Sequence, residues 1–475
     1  MRIKEEFKKS GYFWLPSAPN KKFPGTLSIS DGGVIDLEVV ELFEPVDWDS
    51  SDWESIRNRL NWEPAFSNHF KRIVGHIETD EITLDGCRIN KGLSYYKTGL
   101  SKSVLRVSRA FTGVKYNEDE IPRFKILIFS IDGINNWIGR SATDIEKLIQ
   151  GENISFQHPE EISFNLANGM ELSITFKQGR SESLSPREQR ITQRTYFKLV
   201  SQDARELDDF TSVAEKIINF LCFAMGDVVC FDSMEVASEN PPPLPPSEEN
   251  SGYDKIGLLP INIFYSSQFY SKDKPSDFNW LFKFGQIQND AGRIICNWIN
   301  AYEELDPTFN LYFLATMRTQ PSFEAKFLTL VTGLEIYHRR TSDEKQMDEA
   351  EFDELVEILI ENCSPEKRIW LEGRLKFANE IVLRKRIKRL IEPFKNLFGN
   401  KENRKKLINR IVDTRNYLTH YDLSLKSKAA KGWDLQVLCQ KVEVLFQLHF
   451  LQLMGFSEKD INSIADRQLW TKLQF

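Results

Sequence analysis

Apolar residues alternate with polar ones in short runs as far as about Val200, then recur at three- and four-residue spacing, so the chain changes period along its length. Gly25-Thr26-Leu27-Ser28-Ile29 and Val34-Ile35-Asp36-Leu37-Glu38-Val39 flank Ser30-Asp31-Gly32-Gly33, which predicts a hairpin whose glycines supply positive φ. Lys125–Ile131, Ile162–Leu166, Glu171–Lys177 and Thr195–Val200 are further strands, with Asn168-Gly169 as a turn between two of them. Arg123–Ile131 is almost continuous β former and predicts a central strand buried on both faces. Phe210, Val213, Ala214, Ile217, Ile218, Leu221, Cys222 and Met225 form the apolar stripe of a helix that covers the sheet, with Gly226 as its stop and a last strand at Val228–Glu235.

The run Pro241-Pro242-Pro243-Leu244-Pro245-Pro246 favours polyproline II and predicts an exposed spacer. Beyond Asp277 the pattern is helical: Phe278–Glu304, Pro321–Arg340, Met347–Asn362, Pro365–Asn379, Ile381–Phe398, Lys401–Tyr421, Leu435–Gly455 and Ser457–Leu469. Pro307 and Pro321 are expected at or near helix starts, where a missing N–H is tolerated. The expectation is an α+β multidomain protein: a strand-rich N-terminal domain over 1–240, a proline-rich loop and connector over 241–276, and an all-α bundle over 277–475.

Composition narrows the chemistry. A chain of 475 residues is long enough for at least two cores. The net charge of -7 provides no general attraction for nucleic acid, so any such attraction must be local. The six cysteines, Cys87, Cys222, Cys230, Cys296, Cys363 and Cys439, show no metal-ligand spacing, and the histidines of the first half, His69, His76 and His158, have none either. No metal or cofactor is called for. Scattered tryptophans, Trp14, Trp48, Trp53, Trp62 and Trp137, are read as packing residues. Neither Met1–Lys9 nor the apolar runs Ile217–Met225 and Val442–Met454 has the form of a signal peptide or membrane span, so a cytoplasmic protein is expected.

One stretch does depart from that charge. Between Glu366 and Arg410 there are fifteen Lys/Arg and five Glu, a balance of 15 − 5 = +10. Arg384, Lys385, Arg386, Lys388, Arg389, Lys405 and Lys406 are its candidate RNA-binding residues, though a basic run is also what a solvated helix face looks like. The block leads into Arg415-Asn416-Tyr417-Leu418-Thr419-His420. Leu407, Ile411, Thr414 and Leu418 are the expected buried stripe of that helix. On an ideal helix Arg415 and His420 are separated by about 140° in azimuth and about 7.5 Å along the axis. They can meet at one phosphate if the helix ends or bends near Thr419, or if two copies pack about a two-fold axis. The same residues also fit a structural role, with Arg415 paired to Asp413 or Asp422 and His420 favourably placed at a helix end.

Arg415-Asn416-Tyr417-Leu418-Thr419-His420 resembles the signature of HEPN ribonucleases, and Glu335-Ile336-Tyr337-His338-Arg339-Arg340 resembles the glutamate-and-two-basic motif that such domains carry on an earlier helix. The opening Gly11-Tyr12-Phe13-Trp14-Leu15-Pro16, Pro24-Gly25-Thr26-Leu27 and Gly33-Val34-Ile35-Asp36-Leu37 are similar to the start of ApeA-type anti-phage proteins. The resemblance implies a HEPN bundle acting as a growth-stopping RNase toxin in abortive infection. Its site would hold Arg415 and His420 as the catalytic pair, Asn416 orienting, and Glu335, Arg339 and Arg340 in support. It implies an RNA substrate, a homodimer formed through the HEPN domain, a phage-derived trigger and no membrane partner. His338 is read as an exposed or helix-packing residue and His449 as a satisfied core histidine, neither as a catalyst. A non-catalytic RNA-binding or scaffold protein is the competing reading; a third makes the chain the target of a nucleotidyltransferase, with Tyr421 as acceptor.

Overall fold

The computed structural model describes residues 1–3, 7–40, 69–91, 102–140, 143–148, 151–156, 159–181, 190–238, 261–267, 270, 271, 273, 275, 276, 280–317 and 322–473. The proline run, Pro321, His158 and Trp48, Trp53 and Trp62 lie outside the described residues. The chain divides into two compact units, one of residues 1–278 with 283–288, the other of 279–282 with 289–475.

The first unit is built on antiparallel strands. β1 (Phe7–Trp14), β2 (Phe23–Ser30), β3 (Val34–Val40), β4 (His69–Ile77), β5 (Asp80–Lys91) and β6 (Lys102–Thr112) close on themselves in the order β1-β2-β3-β6-β5-β4, because β1 pairs with both β2 and β4, and β6 with both β3 and β5. Closure joins the first strand to the last around the ring and turns the inward positions into a common core. Those positions are the apolar half of the alternation: Phe13, Leu27, Ile29, Leu37, Ile73 and Leu84 are all buried. Gly11 and His76 come so close where β1 meets β4 that a Cβ on Gly11 would collide with the His76 carbonyl. The β2–β3 hairpin turns through Gly32 and Gly33, at φ of 98° and 81°, as its sequence requires.

β6 also opens the barrel to a second sheet. Its Arg109–Thr112 end pairs with β14 (Ile261–Tyr265), a strand within the stretch 241–276. The sheet continues through β13 (Phe231–Ser238), β7 (Arg123–Ile131), β12 (Arg190–Glu206), β11 (Met170–Ser181) and β10 (Ile162–Asn165), with β8 (Thr143–Leu148) and β9 (Gly151–Phe156) forming a separate hairpin. β7 is central in pairing, yet its burial alternates until the last three residues, so only its end is enclosed on both faces. A short helix α1 (Ile134–Ile138) follows β7. α2 (Leu207–Met225) packs against β12 and β7 and stops at Gly226, whose φ of 63° matches the stop expected of it. α3 (Phe284–Ile287) also belongs to this unit.

The second unit is helical: α4 (Ala291–Met317), α5 (Phe323–Thr341), α6 (Glu349–Glu361), α7 (Arg368–Leu375), α8 (Leu383–Ile391), α9 (Lys401–His420), α10 (Gly432–Leu453), α11 (Glu458–Ile464) and α12 (Trp470–Leu473). Pro307 lies inside α4, not at a helix start. A proline there costs about 3 kcal/mol, and the burial of Trp298, Tyr302, Phe309, Tyr312 and Phe313 along the same helix offsets it. The disturbed turn also has help from Arg340, which donates to the Glu304 carbonyl at 2.6 Å.

α5 is the hub, packing on α4, α8, α9 and α10. Gly333 allows its close approach to α10, since a Cβ there would sit 2.8 Å from the Phe446 ring. α6 and α7 bury none of their residues. His449 of α10 is in the core, its Nε2 donating to the Leu390 carbonyl at 2.9 Å between Tyr337 and Phe394, as a satisfied core histidine should.

Burial lowers the His449 imidazole to about 4, so it stays neutral in the folded protein while the unfolded chain protonates it below its usual value of about 6.5. Its contribution to stability is therefore complete above about pH 6.5 and lost as the pH falls towards 4, by on the order of 3 kcal/mol. Urea unfolding across that range should show a shallower pH dependence for His449→Gln than for the native chain.

Candidate functional site

α9 starts where Asn400 accepts the Asn403 amide at 2.9 Å. Ile408, Ile411, Val412 and Thr414 are its buried residues. Leu407 and Leu418 are only half-buried, so the stripe is rotated from the predicted one. Thr414 is enclosed because its hydroxyl accepts the Ala430 amide at 2.9 Å, tying the following loop to the helix.

This rotation places Arg415 against α5. Its Nη2 is 3.6 Å from Glu335 Oε2 and its Nη1 donates to Asn416 Oδ1 at 3.3 Å. Glu335 in turn binds Arg339 of its own helix at 3.4 Å. Glu335, Arg339, Arg415 and Asn416 thus form one connected polar cluster, drawn from two helices. Arg415 pairs with neither Asp413 nor Asp422.

His420 closes the helix and is exposed. α9 remains helical through it, and Tyr421 then turns left-handed at φ 52°, donating its amide to the Tyr417 carbonyl at 2.6 Å. No bend precedes His420, so a single α9 keeps Arg415 and His420 on different sides, about 140° apart. Asn416 and His420, four residues apart, share a side. The Asp422 carboxyl beyond the turn is held below the usual range, first by its hydrogen bonding to Ser424 and least by the nearby His420.

The other expected site residues are not all gathered here. Arg340 points to Glu304 and serves the proline-containing turn of α4. His338 is buried, its Nδ1 3.3 Å from Arg386, and burial followed by the Arg386 charge lowers its pKa. Arg386 is a correction: expected on an RNA-binding surface, its side chain is only 2% exposed and it donates to Glu380 at 2.5 Å and to the Ile381 carbonyl at 3.1 Å. The amphipathic period of α8, with Ile387, Leu390 and Ile391 inward, carries Arg386 inward with them.

Most of the remaining candidate RNA-binding residues are paired. Lys385 and Arg389 share Glu344, at 3.0 and 2.8 Å, and Arg389 above all draws that carboxyl down to about 2. Arg384 is 3.9 Å from Asp413 and also binds Asn409, and Lys406 pairs with Glu402 at 3.0 Å. Lys388 and Lys405 are exposed. Such exposed pairs are weak and can exchange for a phosphate, whereas Arg386 cannot reach one. Glu380, which also takes Lys345 at 2.7 Å and Arg339 at 3.3 Å, and Glu344 are the anchors that sequence reasoning misses. Their partners lie more than thirty residues away in several cases, and no local spacing signals them.

This bundle is of the HEPN class: the Apea-like HEPN family matches residues 328–460, a span that includes both Glu335–Arg340 and Arg415–His420. The ApeA N-terminal domain 1 family matches residues 8–298, more than half of the chain, and the protein belongs to the ApeA family. No curated protein and no solved structure matches it. Membership supports a HEPN nuclease-type protein of anti-phage defence. Among the described residues, no helix is long and apolar enough to cross a membrane.

Arg386→Ala should destabilise the helical unit by about 1–3 kcal/mol, because it empties a buried position and leaves the Ile381 carbonyl and His338 without their donor, while Glu380 keeps Lys345 and Arg339. Lys388→Ala, at the surface of the same helix, should cost less than about 0.5 kcal/mol in the same urea titration.

Proposed function

We propose that the protein is a metal-independent endoribonuclease of abortive anti-phage defence, with Arg415, Asn416 and His420 at its catalytic centre. The observation that carries this reading is the Arg415–Glu335 ion pair, which joins the two HEPN motifs and leaves Asn416 half-buried and His420 open to solvent at the end of α9. A ribose 2′-OH is an internal nucleophile, so the chain needs to supply only proton transfer and charge. Histidine titrates near neutrality and serves as base towards the 2′-OH or acid towards the leaving 5′ oxygen. The guanidinium of Arg415 stabilises the charge that builds on phosphorus. Asn416, hydrogen-bonded to Arg415, orients it, and Glu335 fixes the same side chain from α5. Arg339 shares Glu335 and forms the near edge of the RNA path.

The helix geometry supports a site completed by a second copy. Arg415 and His420 diverge on one α9, and a two-fold axis beside the helix end brings the arginine of each copy towards the histidine of the other. A homodimer in the cytoplasm, released from restraint by a phage-derived signal that the strand-rich unit senses, accommodates a toxin that the cell must tolerate before infection.

His420→Ala should lose cleavage of RNA in EDTA by a factor of about 100 to 10,000, the range for loss of a general acid–base group, together with toxicity in cells. Arg415→Ala should fail similarly while circular dichroism shows both variants folded. Native products should carry a 2′,3′-cyclic phosphate and a 5′-OH. Undiminished toxicity of His420→Ala would favour the non-catalytic scaffold reading instead.

A further inference from the structure

A cleft of about 940 Å³ lies on the helical unit, away from the Glu335–Arg415 cluster, between the first half of α9, the segment Glu392–Phe398, the start of α10 and α12. Two tryptophans in it are open to solvent: Trp433 is 67% exposed and Trp470 53% exposed. A surface seldom leaves two such large apolar rings uncovered in one concavity without a ligand for them. Three cations share the cleft, Lys406, Arg410 and Lys441. Arg410 is held by Asp434 at 2.9 Å and by the Lys428 carbonyl at 2.7 Å, and Lys406 by Glu402 at 3.0 Å, an exposed pair that yields readily. Lys441 is half-buried and has no carboxylate partner among the described residues; burial alone lowers its pKa. An unpaired, partly desolvated ammonium beside exposed indoles calls for an anion attached to an aromatic ring.

The cleft is also in line with the candidate catalytic end of α9. On a helix, Lys406, Arg410, Tyr417 and Tyr421 fall within about 60° of one another in azimuth, and Lys406 to Tyr421 spans about 20 Å. Tyr417 and Tyr421 have ring centroids 5.7 Å apart, Lys431 lies 5.4 Å over the Tyr417 ring, and Tyr421 is 70% exposed. Tyr417, Tyr421 and Lys431 therefore extend this side of α9 from the cleft towards His420, with Asp413, 3.9 Å from Arg384, lying between Arg410 and Tyr417.

We propose that this cleft binds single-stranded RNA away from the cleavage point, with bases stacked on Trp433 and Trp470 and their phosphates on Lys441 and Lys406. The inference rests on the ribonuclease reading of α9 and adds to it a binding subsite on unpaired nucleotides. Stacking against aromatic rings is tolerant of sequence, because every base has a π face. It requires unpaired bases, so the subsite selects single strands over duplexes.

The test uses the full chain carrying His420→Ala, so that RNA is not consumed, with a fluorescein-labelled oligouridine of about twelve nucleotides read by anisotropy at low salt. Trp433→Ala and Trp470→Ala, both at exposed positions, should each weaken binding on the order of tenfold, the scale of one base–aromatic stack. Trp470→Phe should recover most of that loss, and Lys441→Gln should reduce the salt slope by about one phosphate contact. A duplex of the same length should bind more weakly than the single strand. Unchanged RNA affinity in both tryptophan variants would overturn the subsite while leaving the nuclease reading intact. Uridine monophosphate binding as tightly as the oligomer would overturn it in favour of a free-nucleotide site. Failure of any RNA to bind at low salt would overturn the subsite and the ribonuclease reading together.

Discussion

The ion pair between Glu335 and Arg415, 3.6 Å apart, is the contact on which the functional account depends. It joins α5, which packs on four other helices, to α9, the helix that ends in His420. Arg415 is thereby fixed by a carboxylate rather than left on a freely rotating stem, and Asn416 is fixed by Arg415. Around that pair the helical unit uses its charge mostly for architecture: Glu344 and Glu380 bind Lys385, Arg389, Lys345, Arg339 and the buried Arg386. These pairs fix several of the cations in place without cancelling the local excess, since Glu380 is already one of the block's five glutamates and Glu344 alone serves both Lys385 and Arg389; attraction for a polyanion falls to the cations that remain exposed or weakly held.

Much of the fold is legible from the sequence because it rests on short-range rules. The alternation in Val34–Val39, the two glycines of the following-strand hairpin and Gly226 at the end of α2 each act within a few residues, and each element forms where its pattern puts it. Closure of the barrel is not legible, because it depends on β1 pairing with β4 and β6 pairing with both β3 and β5, contacts between strands distant in sequence. Pro307 shows the limit in the other direction. Its local preference favours a helix start, and the aromatic packing of α4 overrides it.

The candidate site divides along the same line. Arg415, Asn416 and His420 were identifiable as a motif on one helix, and Glu335 and Arg339 as a motif on another. That the two motifs touch is a tertiary fact. Arg386 was misread because a run of like charges hides the helical period: Arg384, Lys388 and Arg389 are open to solvent while Arg386 shares the inward side with Ile387 and Leu390. The cleft of Trp433, Trp470 and Lys441 has no sequence signature at all, since its walls come from three separate helices.

The central claim is that one α9 holds half of a catalytic centre and a second copy supplies the rest. Co-expression of Arg415→Ala with His420→Ala, followed by purification of the mixed dimer, tests it most directly. A mixed dimer has one intact arginine and one intact histidine on opposite chains, and the account predicts that it recovers RNA cleavage that neither variant shows alone. A mixed dimer as inactive as its parents would contradict a shared site and return Arg415 and His420 to a single chain.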